Sequence, residues 1–487
     1  MQFDARSEMN FSEQVRCGAI GATRWLMRTV VLLGVLLLGS ALVTPTVAWA
    51  QEGSGGDNPG SDEQAGDKQA GDQEQTADSD GIDIDISGSA RRTLTPLAIP
   101  EASEPGGDTG EVADTVTQTL RRDLELSGFF KILPNDSFFF DPSKEGMGAS
   151  SIKFQNWFEV GAQGLIKSSV RTNGDEVVLD LRLFLVEQGQ QAKLNFSAGA
   201  VKKDEVTEKV HDFANAVLEY YTGQRGIFGS RIAFVRRKGQ SKQVYVMDMD
   251  GSNQARISKN NSINMLPSFG AGTIYYTSYR DGNPDLWAYK GGKNKKLSSV
   301  PGQNTGAAYC GGKLALTLSK GGENSDVYLI DVDSGKIQER LTKHWAIDTS
   351  PTFSPDCSKI AFVSGRSGGP QIYVMKADGS DQKRLTYQGS YNTQPSWSPK
   401  GDLIAFSARD NRSAFDIFTV DLSGNIERLT QDQGNNSDPS FSPDGRYVAF
   451  VSDRGGKGKR VWIMTSDGQV QNQITEGSGY QSPAWEQ

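Results

Sequence analysis

The second half of the chain repeats one alternation of apolar and polar positions. Pro267, Ala307, Pro351, Pro395, Pro439 and Pro483 form a column with spacings of 40, 44, 44, 44 and 44 residues. Two positions after each stands an aromatic ring: Phe269, Tyr309, Phe353, Trp397, Phe441, Trp485. A turn follows, clearest as "SPDG" at 442–445, where Pro presets φ and Gly takes the left-handed conformation. Then comes a β-branched or aromatic run ("RIAFV" at 231, "TIYYT" at 273, "KLALTL" at 313, "KIAFVS" at 359, "LIAFS" at 403, "YVAFVS" at 447). A polar loop leads to a third strand of the "VYVMD" kind, and a Gly-containing turn to a fourth of the "RLT" kind.

Four short antiparallel strands in roughly 40–45 residues is the period of a β-propeller blade. One such sheet cannot cover both its faces, whereas a ring of them covers each with the next. The periodic rings are therefore expected between blades. The run at Arg231 has no column strand before it, and "SPAW" at 482–485 has nothing after it. Five blades are thus complete. The sixth is split between the two ends of the repeat region, with the C-terminal strand expected to close the ring against residues 231–258.

The pattern upstream is different. "TLTPLAI" at 93–99 reads as a strand, and Val112, Val116, Leu120 and Leu124 form one helical stripe stopped at Gly128. Phe129 and Phe130 lead into a strand near Ile132, and a helix is expected over 154–160. "GLIKSSVRTNGDEVVLDLRLFLVE" reads as a hairpin turning at "NGD", and "KLNFSAGAV" as one more strand. Asp204 is placed as the cap of a last helix striped by Val206, Val210, Phe213, Val217 and Tyr220. The expected fold class is thus multidomain: a small α/β domain over 82–224, then a six-bladed all-β propeller over 225–487.

At the N-terminus, Arg24 and Arg28 precede the apolar run Val30–Val43, and "AWA" at 48–50 follows. This is the layout of a secretory signal peptide over 1–50. No other stretch is apolar enough to span a bilayer. Residues 51–81 form an acidic linker whose first thirty positions hold nine acids and Lys68, which accounts for the whole net charge of −8. With no aromatic or β-branched aliphatic residue in 51–80, the segment reads as a solvated tether. The remainder is nearly neutral and offers no basic excess for nucleic acid. Removal of 1–50 would leave Cys310 and Cys357 as the remaining cysteines; the sequence leaves open whether they pair.

Catalysis finds little support. "GRSGG" at 365–369 matches G-x-S-x-G, but it falls between two strands of a blade, not at the strand-to-helix elbow the nucleophile needs. His211 and His344 are the two histidines, and no zinc-type pairing exists. A propeller hydrolase or lyase and a solute- or glycan-binding propeller remain the rival readings. Recognition is the favoured one. The residues before each column position should rim one mouth of the channel: Gln303, Asn304, Thr305, Gly306; Asp348, Thr349, Ser350; Asn392, Thr393, Gln394; Asn435, Asn436, Asp438. These suit hydrogen bonding to a partner, although Asn and Asp also favour turns. The Asp and Asn rim is also a candidate calcium position in the channel, though no calcium ligand loop is present. No other cofactor is expected.

An opening "IDIDISG", the junction "GIFGSRIAFV", six "SPDG…IAF…IYVMD…G…RLT" units and the terminal "SPAW" together resemble the TolB family of the Tol–Pal system. The resemblance implies a periplasmic, monomeric, non-enzymatic adaptor serving outer-membrane integrity and constriction at division. Its propeller mouth would bind the lipoprotein Pal through the residues just named, Gln394 and Asn435 apart. Its N-terminal strand, here Ile82, Asp83, Ile84, Asp85, Ile86, Ser87 and Gly88, would bind TolA. The family's "APAF" loop corresponds to "QNTGA" at 303–307, which lacks the His and Pro of the family pattern; the adjacent mouth position carries over to Thr349 and Ser350.

Overall fold

The structure, a computed structural model, describes residues 93–487 apart from 107–109, 198, 321–323, 410–412 and 432. The expected signal peptide, the acidic linker and the Ile82–Gly88 strand lie outside the described residues.

The first part is a mixed sheet covered on both faces. Its strands are β1 (Thr95–Ala98), β2 (Phe130–Ile132), β3 (Gly164–Asn173), β4 (Glu176–Leu185), β5 (Gln190–Gln191) and β6 (Ala200–Lys202), in the order β2-β1-β3-β4-β5 with β6 also on β4. β1 runs parallel to β2 and β3, and β3 and β4 form the hairpin at Gly174, whose φ is +65°. Helices α1 (Gly110–Leu126) and α3 (Val206–Thr222) pack together on one face. There Val116, Leu120, Leu124, Val210, Phe213 and Val217 meet Leu97, Ile166 and Val170 in one apolar cluster. On the other face α2 (Phe154–Glu159) buries Trp157 against Ala98, Leu165 and Phe184.

Three local expectations are corrected. The strand expected over 193–201 shrinks to β6, because Leu194 and Phe196 turn their side chains onto the helical cluster and leave the ladder. Asp204 does not cap α3. It lies in a 3₁₀ turn, Lys203–Glu205, where the Glu205 carboxylate accepts the Lys202 N–H at 3.3 Å. Tyr220 is exposed, and Ala214 and Leu218 complete the buried stripe instead.

The second part is the six-bladed propeller. The innermost strands of blades 1 to 6 are Asn264–Gly270, Asn304–Cys310, Asp348–Phe353, Asn392–Trp397, Asn436–Phe441 and Tyr480–Trp485. In blade 6 the last of these pairs with Arg231–Lys238, so the ring closes end to end as the repeat count requires. Every column ring packs on the preceding blade. Phe353 lies with Ala315, Val327 and Leu329, Trp397 with Ala361, Val363 and Ile372, and Phe441 with Ala405 and Ile417. Burying a side chain of this size stabilises by roughly 1.5–3 kcal/mol. Cys310, at the end of blade 2's inner strand, is joined by a disulfide to Cys357 in the first turn of blade 3.

The α/β domain and blades 5 and 6 share one apolar cluster, in which Leu126, Phe213 and Phe228 meet Met249, Tyr447, Val461 and Trp485. Polar ties reinforce it: Tyr447 Oη donates to Ser127 O (3.1 Å), and Arg122 donates to Gln473 O (2.5 Å). Gly128 is required twice over. Its φ is +69°, and a Cβ there would stand 2.9 Å from Thr465 Cγ2.

Within this joint His211 Nδ1 lies 2.7 Å from Asp123 Oδ2, both groups almost fully buried. Asp248 and Asp250 face them from blade 6, with Arg122 and Arg231 nearby. Burial works to lower the His211 pKa, but the Asp123 hydrogen bond and the surrounding carboxylates outweigh it and hold it above its ordinary value. Burial pushes the Asp123 carboxyl up to about 6. Both folded-state values exceed the unfolded ones, so the folded chain binds more protons between them. Stability contributed here is complete below the ordinary carboxylate range and is lost as pH rises through the two folded values. Unfolding in urea should therefore become easier as pH rises from the ordinary carboxylate range through about 6 and on past the ordinary imidazole value, and replacing the pair together, Asp123→Asn with His211→Gln, should flatten that slope. An unchanged slope in the variant would remove the pair from the account.

Candidate functional site

One mouth of the channel is the end where the six inner strands begin. The structure divides the residues expected there into two groups. Asn304, Asp348, Asn392 and Asn436 are fully buried. Asn392 donates to Gln371 Oε1 (2.7 Å), the same oxygen that accepts Thr386 Oγ1 (2.8 Å). Asn436 donates to Asp416 Oδ1 (2.7 Å), which also accepts Thr430 Oγ1 (2.7 Å). In blade 6, Ser258 donates to Gln243 Oε1 (2.7 Å), and Asn264 of blade 1 reaches that oxygen at 3.2 Å. Each of these three latches ties the third strand of one blade, through the end of its fourth, to the inner strand of the next. Asn304 closes the blade 1–2 loop by accepting from Ser298 Oγ and the Val300 N–H. Asp348 instead pairs with Arg366 at 2.7 Å inside blade 3. Buried polar groups need such partners; the three asparagines hold blade junctions and Asp348 its own blade, while Asp348 Oδ1 and Asn392 Oδ1 are buried without a hydrogen-bond partner among the described residues.

The second group stays half-exposed: Gln303, Thr305, Gly306, Thr349, Ser350, Thr393, Gln394 and Asp438. Gln303 accepts Ser325 Oγ at 3.0 Å. Asn435 is exposed and tied to Asp453, which accepts its backbone N–H at 2.7 Å.

A feature absent from the sequence reading lies among them. Leu266, Gly306, Ser350, Gln394, Asp438 and Ser482 each precede a column residue, and all six have positive φ, between 46° and 64°. Each sits where the pairing register of the inner strand shifts. This is a β-bulge repeated around the channel. A non-glycine residue held there costs on the order of 1–3 kcal/mol and persists only when its surroundings fix it. Neighbouring bulges meet: the Gln394 amide donates to Asp438, and Asp438 Oδ2 accepts the Ser482 N–H at 3.3 Å. Burial raises the Asp438 pKa above its ordinary value, against the charge of Lys459 and these hydrogen bonds. With five of the six positions not glycine, the sequence carried no cue to the bulge.

Ser367 of "GRSGG" is exposed in the loop joining two antiparallel strands, Lys359–Ser364 and Gln371–Lys376. Among the described residues no group of three or more His, Cys, Asp or Glu is disposed to hold a metal ion, and no helix is long and apolar enough to cross a membrane.

With this geometry in hand, comparison with known proteins gives two family matches. Residues 218–487 match the TolB beta propeller domain, and residues 82–192 match the TolB amino-terminal domain. The chain is 42% identical over 264 residues to the Tol-Pal system protein TolB of Anaeromyxobacter dehalogenans, covering 53% of this chain and 60% of that protein. It is 37% identical over 257 residues to the Tol-Pal system protein TolB of Desulfosudis oleivorans, covering 51% and 58%. The chain thus spans about 60% of the length of these curated relatives. Among solved structures, TolB from Acinetobacter baumannii is similar in fold, with a TM-score of 0.69 at 24% identity, covering 82% of this chain and 98% of the other.

Proposed function

The chain belongs to the TolB family, and from that premise we propose that it is a non-enzymatic adaptor of the Tol–Pal system in the periplasm. Its propeller mouth binds the lipoprotein Pal, and its N-terminal segment around Ile82–Gly88 binds TolA. Through the two it serves outer-membrane integrity and the inward pull of the envelope at division. The observation that supports this reading best is the order of parts: an amino-terminal domain of the family, then a closed propeller of the family, in one chain. The chemistry of the mouth agrees with it. Half-exposed hydroxyls, amides and backbone at Gln303, Thr305, Gly306, Thr349, Ser350, Thr393 and Gln394 offer hydrogen bonds to a protein surface, and a propeller places such loops on a rigid frame. The hydrolase reading lacks a comparable observation, since Ser367 stands on a hairpin loop.

The test uses purified parts. The secreted form of the chain should bind the soluble domain of Pal and the periplasmic part of TolA at the same time. Deleting residues 82–88 should abolish TolA binding and spare Pal, while deleting 51–80 should spare both. Loss of TolA binding on removal of 51–80 alone would transfer that contact to the acidic tether, and failure to bind Pal would end the adaptor reading.

A further inference from the structure

Trp345 is 80% exposed, the most exposed large apolar side chain among the described residues. It stands at the proposed mouth, in the loop that runs from blade 2 into the inner strand beginning at Asp348. Its exposure is not that of a loose loop. Asn324 Nδ2 donates to the carbonyls of His344 (2.9 Å) and Ala346 (2.5 Å), and the Gly365 N–H donates to the Ile347 carbonyl (3.0 Å). The His344 ring accepts the Ala346 N–H at 3.1 Å and packs against the indole, ring centres 5.2 Å apart. The backbone on both sides of Trp345 is thus fixed from blades 2 and 3. Ser325, next to Asn324 in sequence, donates to Gln303, so the loop that carries Trp345 is tied to the mouth residues already described.

An aromatic ring presented on a fixed backbone loses little conformational freedom on binding, and buried tryptophans dominate the energetics of protein interfaces. The surroundings specify what it would enter. Lys343, two positions before it, is exposed, and Lys259, Lys320, Lys457 and Lys459 stand exposed in loops at the same end of the ring. Among the described residues at this end, Asp281 is paired with Lys296, Asp453 accepts from Asn435, Asp438 is held between Gln394 and Ser482, and Glu476 stands exposed, so the exposed lysines outnumber the exposed acids. We infer that Trp345 is the anchor of the propeller's docking face, and that the partner presents an apolar socket rimmed by carboxylates. The inference rests on the adaptor function proposed above and names the chemistry of its propeller-bound partner.

The experiment measures binding of the soluble Pal domain to the secreted form of the chain by surface plasmon resonance at low and moderate salt. Trp345→Ala should weaken binding on the order of thirty-fold or more, chiefly through faster dissociation, and Trp345→Phe should recover part of it. Lys320→Glu with Lys343→Glu should slow association about tenfold at low salt and weaken its salt dependence. Each side chain is exposed, so circular dichroism should report an unchanged fold. If Trp345→Ala binds within about twofold of the unaltered chain, the anchor is overturned while the adaptor function stands. If the charge reversals leave association unchanged, the acidic rim is overturned. If the unaltered chain does not bind Pal, the adaptor function falls and this inference with it.

Discussion

Replacing Trp485 by alanine should destabilise the chain by about 3–5 kcal/mol, the cost of emptying a large buried site. Trp485 is 2% exposed. Its ring packs with Ile232, Phe234 and Tyr447 in the cluster shared with the α/β domain, and its indole N–H donates to Ser230 Oγ at 2.9 Å. It is also the last residue of the strand that closes blade 6, paired with Ile232. Removing residues 480–487 should do more, since Arg231–Lys238 would then become an unpaired edge, a template for association with other chains. Urea unfolding followed by fluorescence checks the first expectation and gel filtration the second. By contrast, Arg231 and Glu486 form a two-bonded ion pair at 2.7 and 2.8 Å beside the same strand but half-exposed, so Arg231→Ala should cost no more than about 1 kcal/mol. An urea midpoint in Trp485→Ala no lower than in Arg231→Ala would contradict the view that apolar burial at the closing strand holds the ring.

Reducing the Cys310–Cys357 disulfide should lower stability by about 2–4 kcal/mol. The bridge closes a loop of sequence separation 47, for which chain entropy alone gives about 4 kcal/mol, an upper figure in practice. Cys357 has a second peculiarity. It occupies the turn position held by Gly401 in "SPKG" and Gly445 in "SPDG", and like them it has positive φ, 59° against 79° and 68°. A side chain there is strained by about 1–2 kcal/mol; glycine relieves this but gives back roughly 0.4–1 kcal/mol through its freer unfolded chain, leaving a net gain of up to about 1 kcal/mol. The expected result is therefore a crossing. Under oxidising conditions Cys357→Gly is less stable than the unaltered chain; under reducing conditions it is the more stable of the two. Parallel urea curves with and without reductant decide it, and the same order of stabilities in both would refute the argument.

What the sequence disclosed depended on whether neighbours in sequence are neighbours in space. The blades were legible because each strand pairs with the next along the chain, and the column from Pro267 to Pro483 marks one strand of every blade. Ring closure followed from counting half-units at Arg231 and "SPAW". The mouth was harder. Asn392 and Asn436 look alike on paper whether they face solvent or a blade junction. Their partners, Gln371 and Asp416, lie about twenty positions earlier in the preceding blade. The thread from "RLT" to those oxygens, through Thr386 and Thr430, was present in the repeat but read as strand endings. The left-handed bulges were hidden because Ser350, Gln394 and Asp438 carry no backbone signature. Trp345 was passed over because it belongs to no column.

The split sixth blade also governs the order in which the molecule can assemble. Blades 1 to 5 each need only about forty consecutive residues, so they can form quickly from local pairings. The meeting of Ile232 with Trp485 is the longest-range event of the propeller and must wait for the whole of it. Its entropic cost grows only with the logarithm of the intervening length, so lateness here is a matter of time and not of strength. Until that moment the nascent molecule is an open crescent with two raw margins, and the interval before they meet is when it most needs to be kept away from its own kind.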